Sequence, residues 1–241
     1  MKNVPLFLVI LLINLFSLNA QELKFGIKAG LNYNNIGKLY HIGTANGGGI
    51  GVIPSEDKNY NSKQELSYHF GTFLNISFKK IFLRPEINFT TLKKSYPLSQ
   101  KTSYWNSTKL DIPILLGFQI NNTFSIYSGP VFSKISTMKL DGVQYPILFK
   151  KSKINLHAGV LVNFGRFGID ARYEYGMAPT KFQRIDIIRA IYGTNVAHLL
   201  EYNHSQIIIS IQIALFKINT NERHKIDNKS WRGKNRNCTN Q

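Results

Sequence analysis

Apolar and polar residues alternate strictly along residues 23–33, which read LKFGIKAGLNY. Odd positions carry the apolar side chains, and even positions carry lysine, glycine and asparagine. Because successive side chains of an extended chain point to opposite faces, this pattern predicts a β-strand with one apolar face. Eleven such residues, at about 3.3 Å each and tilted by about 40°, would cross a hydrocarbon layer about 25 Å tall. A soluble antiparallel strand shows the same alternation, so the rest of the chain must decide what the apolar face contacts.

The same alternation recurs in seven further segments, which makes eight predicted strands in all. The further segments are residues 66–78, 81–91, 104–120, 123–133, 153–164, 167–176 and 205–216. Phe73 breaks the alternation of the second strand, and Pro85 is awkward in the third because proline cannot donate to a β-ladder. Gly129 and Pro130 make the fifth strand the weakest. A short helix is predicted near residues 185–192.

The connections between the predicted strands alternate between long and short. The short turns are predicted at Lys79-Lys80, Asn121-Asn122 and Gly165-Arg166, and all three fall at one end of an up-and-down barrel. Outer-membrane barrels show this sorting of loop lengths, together with an even strand number. We therefore predict an all-β fold, an eight-stranded antiparallel up-and-down transmembrane β-barrel.

Aromatic residues cluster at the two ends of the predicted barrel, as expected for girdles where strands meet the membrane interfaces. Those at the short-turn end are Phe25, Phe78, Phe82, Phe124, Phe164, Phe167 and Phe216. Those at the opposite end are Tyr33, Tyr68, Tyr104, Trp105, Tyr173 and Tyr175.

The two ends of the chain differ in composition from the strands. Residues 1–20 combine Lys2, an apolar core at residues 6–15 and the small residue Ala20, which is typical of a cleaved secretory signal peptide. Residues 21–216 then form the predicted outer-membrane barrel domain. Residues 217–241 are polar, basic and without pattern, so a disordered tail is predicted. Cys238 is the only cysteine, which excludes an intramolecular disulfide bond.

The polar faces of the predicted strands carry charges that a bilayer would not accept. An eight-stranded barrel is just wide enough for side chains to fill it, so these charges are expected to pair inside a plugged lumen. The arginines at positions 84 and 172 are the expected partners of Glu86 and Glu174, two residues away on the same face. The predicted lumen network comprises Lys24, Lys28, Arg84, Glu86, Asp111, Asp170, Arg172 and Glu174.

The formal net charge of +17 favours attraction to anionic groups. For an exported barrel, the expected partners are outer-membrane lipids and the phosphates of lipopolysaccharide. Nucleic acid is not an expected partner, because an exported protein rarely meets it and the sequence has no basic helix.

The sequence predicts no catalytic, cofactor or metal site, and hence no enzyme. His157, Asp170 and Ser210 fall on the predicted inner face, but no G-x-S-x-G motif accompanies them. A lipid hydrolase would place histidine and serine at the outer rim, where Ser67, His69 and His204 are unconvincing candidates. The glycine-rich run at residues 47–51 lacks the Gly-Lys-Ser/Thr ending of a phosphate-binding loop. The six histidines are scattered, whereas metal sites need clustered ligands.

Several motifs occur in a fixed order along the strands. They are FGIKAGLN directly after the signal peptide, LRPEIN in the third strand, LDIPILLG in the fourth, and GVLVNF followed by ARYEYG in the sixth and seventh. In this order they resemble the PorT-like outer-membrane β-barrel proteins, which are broadly similar to the OmpX/OmpA-type eight-stranded barrels. The resemblance covers nearly all of residues 21–216 and implies a link to type IX secretion. It also implies that the insertion machinery reads Phe216 in the last strand, although the polar tail follows it.

The expected function is that of an outer-membrane barrel with a structural or interaction role and a filled lumen. Its long outer loops, at residues 34–65, 134–152 and 177–204, would meet the surroundings, including envelope or secretion proteins. Two alternatives stay open. One is a narrow transport channel or a subunit of secretion machinery. The other is a soluble lipocalin-like periplasmic carrier, whose apolar face would pack on a ligand while its charged face meets water.

Overall fold

The structure is a computed structural model that describes residues 22–35, 37–41, 58–193 and 196–219. The strands in these residues are β1 Glu22–Asn35, β2 Leu39–His41, β3 Lys58–Tyr60, β4 Lys63–Gln64, β5 Ser67–Phe78, β6 Ile81–Pro97, β7 Thr102–Gln119, β8 Phe124–Leu140, β9 Ser152–Phe164, β10 Phe167–Gly176, β11 Gln183–Asp186, β12 Val196–Leu199 and β13 Ser205–Asn219. One helix, α1 Arg189–Tyr192, precedes β12. The predicted signal peptide, the glycine-rich run and residues 220–241 lie outside the described residues.

Eight long strands form a closed ring in which every neighbouring pair is antiparallel. Around the ring the order is β6, β5, β1, β13, β10, β9, β8 and β7, and β7 pairs with β6 to close it. Each strand therefore lies beside the preceding and following long strand of the chain, and the first pairs with the last. The predicted eight-stranded up-and-down barrel is confirmed.

The apolar faces of the strands point outward, and the polar faces point into the lumen. Ile27, Leu31 and Ile209 are exposed on the outside, whereas Lys28, Asn32 and Ser210 beside them are buried. A soluble carrier requires the opposite arrangement, with its apolar face around a ligand. The exposed apolar wall is instead the surface that a transmembrane barrel presents to lipid.

Two of the three short turns have the predicted lengths. Lys79-Lys80 joins β5 to β6 and Gly165-Arg166 joins β9 to β10, each with its first residue at positive φ. The predicted Asn121-Asn122 hairpin is wrong, because four residues separate β7 from β8. The Asn121 side chain accepts hydrogen bonds from the backbone N–H groups of Thr123 and Phe124, which stabilises a wider turn.

Some strands run further than predicted. β6 continues to Pro97 and β8 to Leu140, so only residues 141–151 remain of the loop predicted at 134–152. β13 continues to Asn219, three residues into the predicted tail. The helix predicted near residues 185–192 is only one turn long and follows the short strand β11. No helix in the described part of the chain is both long and apolar enough to cross a bilayer.

Three prolines interrupt the hydrogen-bond ladders of the wall on adjacent strands. The β5–β6 ladder skips residues 84–85, the β6–β7 ladder skips residues 112–113, and the β7–β8 ladder skips residues 129–130. Each gap contains a proline, Pro85, Pro113 or Pro130, which has no N–H to donate. The strands β7 and β8 still lie close together there. A Cβ on Gly129 would lie only 2.1 Å from the Ile114 carbonyl oxygen, so glycine permits this close approach.

The long connections fold into a second layer, which we call the cap. Its sheet has the order β11, β12, β2 and β3, so it combines the connection before β5 with the connection before β13. Its core packs against inward-facing residues of the extended parts of β6, β7 and β8. The buried core residues are Leu39, Tyr60, Leu92, Tyr96, Leu98, Trp105, Leu140, Ile147, Ile185, Ile187, Tyr192, Ala197 and Leu199.

The predicted aromatic girdles are partly wrong. Phe124, Phe164, Phe167 and Phe216 are exposed near the short-turn end, as a girdle requires. Phe82 instead lies inside the lumen, where it packs with Leu115, Tyr127 and Leu161, and Trp105 belongs to the cap core. Both lie on the inner face of their strands, which proximity to a turn does not reveal.

Candidate functional site

The lumen is filled at its middle by five charged side chains, which we call the inner network: Lys28, Arg84, Glu86, Asp170 and Arg172. The Arg172 guanidinium donates to both Glu86 oxygens, at 2.9 and 3.0 Å, and also contacts Asp170. Lys28 Nζ lies 2.9 Å from Asp170 and 3.3 Å from Glu86, and Arg84 Nε lies 2.7 Å from Glu86. The two carboxylates are therefore shared among three cations.

Nearer the cap lies a second group, the outer network, formed by Lys109, Asp111, His157 and Glu174. Lys109 Nζ lies 2.7 Å from Glu174 and 3.1 Å from Asp111. His157 Nε2 lies 2.7 Å from Glu174, and its Nδ1 lies 3.3 Å from an Arg172 nitrogen. Since an arginine N–H can only donate, the geometry assigns His157 as the neutral tautomer with its proton on Nε2.

The two networks together are electrically balanced. The inner network has one cation more than its carboxylates, and the outer network has one carboxylate more than its cation. Four cations and four carboxylates therefore compensate one another, and all are buried. Neutral side chains occupy further hydrogen-bonding positions: Tyr127 donates to Asp170, Thr90 and Ser133 donate to Asp111, and Asn155 and Gln206 donate to Glu174. Paired and hydrogen-bonded charges are the form in which ionic groups tolerate burial.

Seven of the eight residues predicted for the lumen network lie in these two groups, and Lys24 does not. Lys24 pairs with Glu22 at the short-turn end, where both side chains are partly exposed. One predicted partnership is also wrong: Glu174 pairs with Lys109 and His157, and Arg172 pairs with Glu86 from a strand on the other side of the barrel. Lys109 is not among the predicted residues, although its odd position places it on the same face as Asp111.

Phe73 breaks the sequence alternation because it is an apolar residue on the inner face. The Arg84 guanidinium lies 4.1 Å from the centre of its ring. Gly26 on the neighbouring strand makes room for the ring, since a Cβ there would lie 2.5 Å from Phe73 Cζ. Phe73 therefore fills the lumen beside the inner network, and this pairing with a glycine is visible only once the strand register is known.

The cap closes the lumen at the end opposite to the short turns. Tyr96 donates a hydrogen bond to the Gly37 carbonyl oxygen, and Leu39 and Leu199 lie opposite each other in the β2–β12 pair. Burial raises the pKa of Tyr202 to about 12, and burial lowers the pKa of His204 to about 4. Both shifts have the same physical cause, because burial disfavours the charged form of each group.

The comparisons with known proteins agree with this architecture. Residues 19–181 match the family model described as "Outer membrane protein beta-barrel domain". The chain belongs to this family. It is therefore an outer-membrane β-barrel protein, and its exposed apolar wall is the part of the surface that faces lipid.

Solved structures with a similar chain path are also outer-membrane proteins. They include OprG from Pseudomonas aeruginosa, with 10% identity and a TM-score of 0.45 over 84% of this chain and 98% of that one. Ail, the attachment invasion locus protein of Yersinia pestis, has 14% identity and a TM-score of 0.36 over 82% and 98%. AlkL has 10% identity and a TM-score of 0.40 over 81% and 90%. These similarities are weak, and the family assignment rests on the sequence match. No curated protein matches the chain.

The structure does not bring the three residues considered for nucleophilic catalysis into one hydrogen-bonded group. Ser210 hydrogen-bonds to His69 at 2.8 Å, His69 contacts Asn32 at 2.7 Å, and His157 contacts Glu174. Ser67 and His69, considered as rim residues that face lipid, are buried inside the barrel. In the described part of the chain, no cluster of three or more His, Cys, Asp or Glu side chains is arranged to hold a metal ion.

Proposed function

We propose that this outer-membrane protein is a non-conducting barrel with a structural or interaction role, which it performs through its cap. The observation that carries the proposal is the balanced pair of networks across the lumen. Opening an aqueous path would separate buried ion pairs, and breaking one such pair costs about 3–5 kcal/mol. A barrel filled in this way is a rigid support for the surface above it.

Planar-bilayer conductance tests the proposal directly. The refolded protein should show no steady ion-sized currents, while a porin refolded in the same lipid provides the positive control. Each sample must also show the faster gel mobility of an unheated closed barrel, so that a failure to fold or insert is not mistaken for the absence of a conducting pore. Steady currents from a sample that passes this control would contradict the filled-lumen proposal and favour the narrow channel.

A role as a subunit of secretion machinery, as the PorT-like resemblance implies, is the alternative. It is compatible with a filled lumen, because such a subunit can act by contact alone. Loss of the protein would then block export of the secreted proteins that use the machinery. The structural proposal instead expects normal export together with a weakened envelope, measured as detergent sensitivity.

The proposal includes no enzymatic role. Support comes from the buried histidines at positions 69 and 157, each of which uses its ring nitrogens in hydrogen bonds within the lumen. Hydrolysis of short-chain lipid esters by the refolded barrel would contradict this part, provided that Ser210→Ala removes the activity.

We also propose that phosphorylated lipids of the outer leaflet bind beside β8 and β9. A groove there has an apolar floor, which includes Ile112, Phe132 and Ile154, and Lys134 and Lys150 line it at the end near the cap. The floor suits acyl chains, and the lysines suit the phosphates of lipopolysaccharide, since each lysine near an anionic lipid surface contributes about 1 kcal/mol. The insertion machinery is a further proposed partner, through Phe216 near the end of β13.

Binding of lipid A to the purified barrel tests the lipid proposal. The double variant Lys134→Gln/Lys150→Gln should bind about tenfold or more weakly, as measured by native mass spectrometry. Lys80→Gln/Arg166→Gln removes the same charge at the short-turn end and should leave the affinity unchanged. Equal binding of dephosphorylated lipid A to the unaltered protein would rule out phosphate recognition.

A further inference from the structure

A small, partly enclosed cavity lies between the outer network and the cap core. We call it the outer chamber. Its volume is about 30 Å³, which is room for one or two water molecules. The residues that line it are Leu92, Trp105, Ser107, Lys109, Ser133, Ile135, Met138, Lys153, Asn155, Thr180, Tyr202 and His204.

The chamber has more positive charge around it than the networks neutralise. Lys109 is matched by the two carboxylates of the outer network, but Lys153 is not. Lys153 is 9% exposed, and its Nζ donates a hydrogen bond to Thr180 Oγ1 at 3.1 Å. Within the described residues it has no carboxylate at ion-pair distance, and the charges that act on it are the cations Lys109 and Lys150. A buried ammonium group without a counter-charge is strongly unfavourable.

A second buried lysine repeats this arrangement close by. Lys94 is 6% exposed, and its Nζ donates to Ser62 at 3.2 Å. It also has no carboxylate partner in the part of the chain that the structure describes. Together with Lys153, it leaves the outer end of the lumen with two cations that the balanced networks below do not compensate.

The chamber also contains a hydrogen-bond donor without an acceptor. Trp105 is 1% exposed and lines the chamber, and its indole Nε1–H has no hydrogen-bond partner in the described structure. An indole nitrogen can only donate. His204 Nε2, also at the chamber, lies 3.5 Å from Glu174 Oε1, so a carboxylate is already close to it. Asn155 Oδ1, which also belongs to a lining residue, is an acceptor without a donor. What Lys153 and Trp105 lack is an acceptor with negative charge.

We propose that the outer chamber binds one small inorganic anion of halide size, held by Lys153 Nζ and the Trp105 indole N–H. The ion would compensate the uncovered positive charge and accept the unused hydrogen bond. The chamber is too small for a phosphorylated or carbon-chain ligand. Because the cap closes over the chamber, ion binding and cap closure would stabilise each other.

Bromide reports on the site in two independent ways. Crystals grown without halide and soaked in bromide should show an anomalous peak in contact with Lys153 Nζ and Trp105 Nε1. The unfolding temperature of the barrel in detergent should rise by at least about 3 °C in bromide, relative to the same concentration of gluconate, which is too large to enter.

Three variants separate anion binding from a general structural effect. Lys153→Met removes the uncompensated charge, so it should unfold at a higher temperature than the unaltered protein without halide and should lose the bromide response. Trp105→Phe keeps an aromatic ring in the cap core and should weaken the response. Lys80→Met removes an exposed lysine in a short turn at the opposite end of the barrel and should retain the bromide response. A chamber occupied only by water after the bromide soak, or a bromide response that survives Lys153→Met, would overturn the proposal.

Discussion

Opposite charges in this protein meet by two routes, and only one is local. Residues two apart on a strand share a face, which brings Arg84 to Glu86 and Lys109 to Asp111. The other route crosses the lumen, as in the bidentate contact of Arg172 with Glu86. Arg172 also lies 5.2 Å from the centre of the Tyr127 ring. It is therefore the residue on which most of the inner network depends.

Removal of Arg172 should destabilise the barrel far more than removal of Lys24. Arg172→Met removes the bidentate partner of Glu86 and leaves the two networks together with one uncompensated carboxylate in a buried site, so we expect it to lower the free energy of unfolding by about 3–5 kcal/mol. Lys24→Met breaks only a partly exposed ion pair with Glu22, which is worth about 0–1 kcal/mol. Urea unfolding of both variants in lipid vesicles measures the difference. Similar losses would mean that the inner network is not a buried unit.

The sequence identifies which side chains point inward, but it does not identify their partners. Alternation alone assigns Lys28, Asp170 and Arg172 to the lumen, since the side-chain period of a strand is two. The partners depend on strand register and barrel closure, which bring residues 86 and 172 into contact across the lumen. Alternation also places Lys24 on the inner face, but its position near the end of β1 takes it out of reach of the networks.

At the scale of elements, the sequence predicts that prolines weaken the barrel wall, but it does not predict that the resulting gaps lie side by side. The sequence predicts a disturbance at Pro85 and at Pro130, whereas the alignment of both with Pro113 on three adjacent strands is visible only from the register. A closed barrel has no edge strand that could accommodate a proline, so each one leaves a local gap in a ladder.

Backbone amides beside these gaps should exchange faster than those in the uninterrupted wall. Each missing hydrogen bond is worth about 1 kcal/mol, so peptides covering residues 112–115 should exchange about fivefold or more faster than peptides from the middle of β10. The β10–β13 ladder has continuous register and is the internal control. Hydrogen–deuterium exchange in lipid nanodiscs measures this, and uniform protection around the ring would contradict it.

The cap was the main element that the sequence did not predict. Its strands are three or four residues long, too short for alternation to stand out from a loop. Its core also joins Leu39 to Leu199 and Trp105, which are distant in sequence and meet only after the barrel has closed. Long loops were therefore the expectation, whereas much of their described length is packed structure.

Loss of one core leucine should open the cap without opening the barrel. Leu199→Ala leaves a cavity at a fully buried position and should cost about 2–5 kcal/mol of cap stability. Trypsin should then cut faster at Lys181 and Arg184, while the faster gel mobility of the unheated barrel is retained. Leu200→Ala changes the neighbouring residue, which is 36% exposed, and should leave the cutting rate nearly unchanged. If Leu199→Ala also abolished the gel shift, cap and barrel would unfold as one unit.

At the scale of the whole molecule, the sorted lengths of the connections determine what each end of the barrel can do. Tight turns close one end of the sheet, so all the additional structure accumulates at the other, where the cap is built. Alternation together with loop length was enough to predict the closed barrel from the sequence. Two barriers cross the lumen, the charge networks and the cap. The sequence predicts the networks, because they consist of periodic strand residues, but it does not predict the cap, which is built from irregular segments.

The two barriers should act independently, and the network alone should keep the barrel closed to ions. The cap core contacts β6, β7 and β8 above the outer network, and none of its buried apolar residues belongs to the ion pairs. Leu199→Ala should therefore remain electrically silent in planar bilayers even when trypsin shows that its cap is open. Arg172→Ala, which removes charge and volume from the middle of the lumen, is the matched variant in which leak currents should appear. Currents from the cap variant alone would place the barrier in the cap and leave the networks with a purely stabilising role.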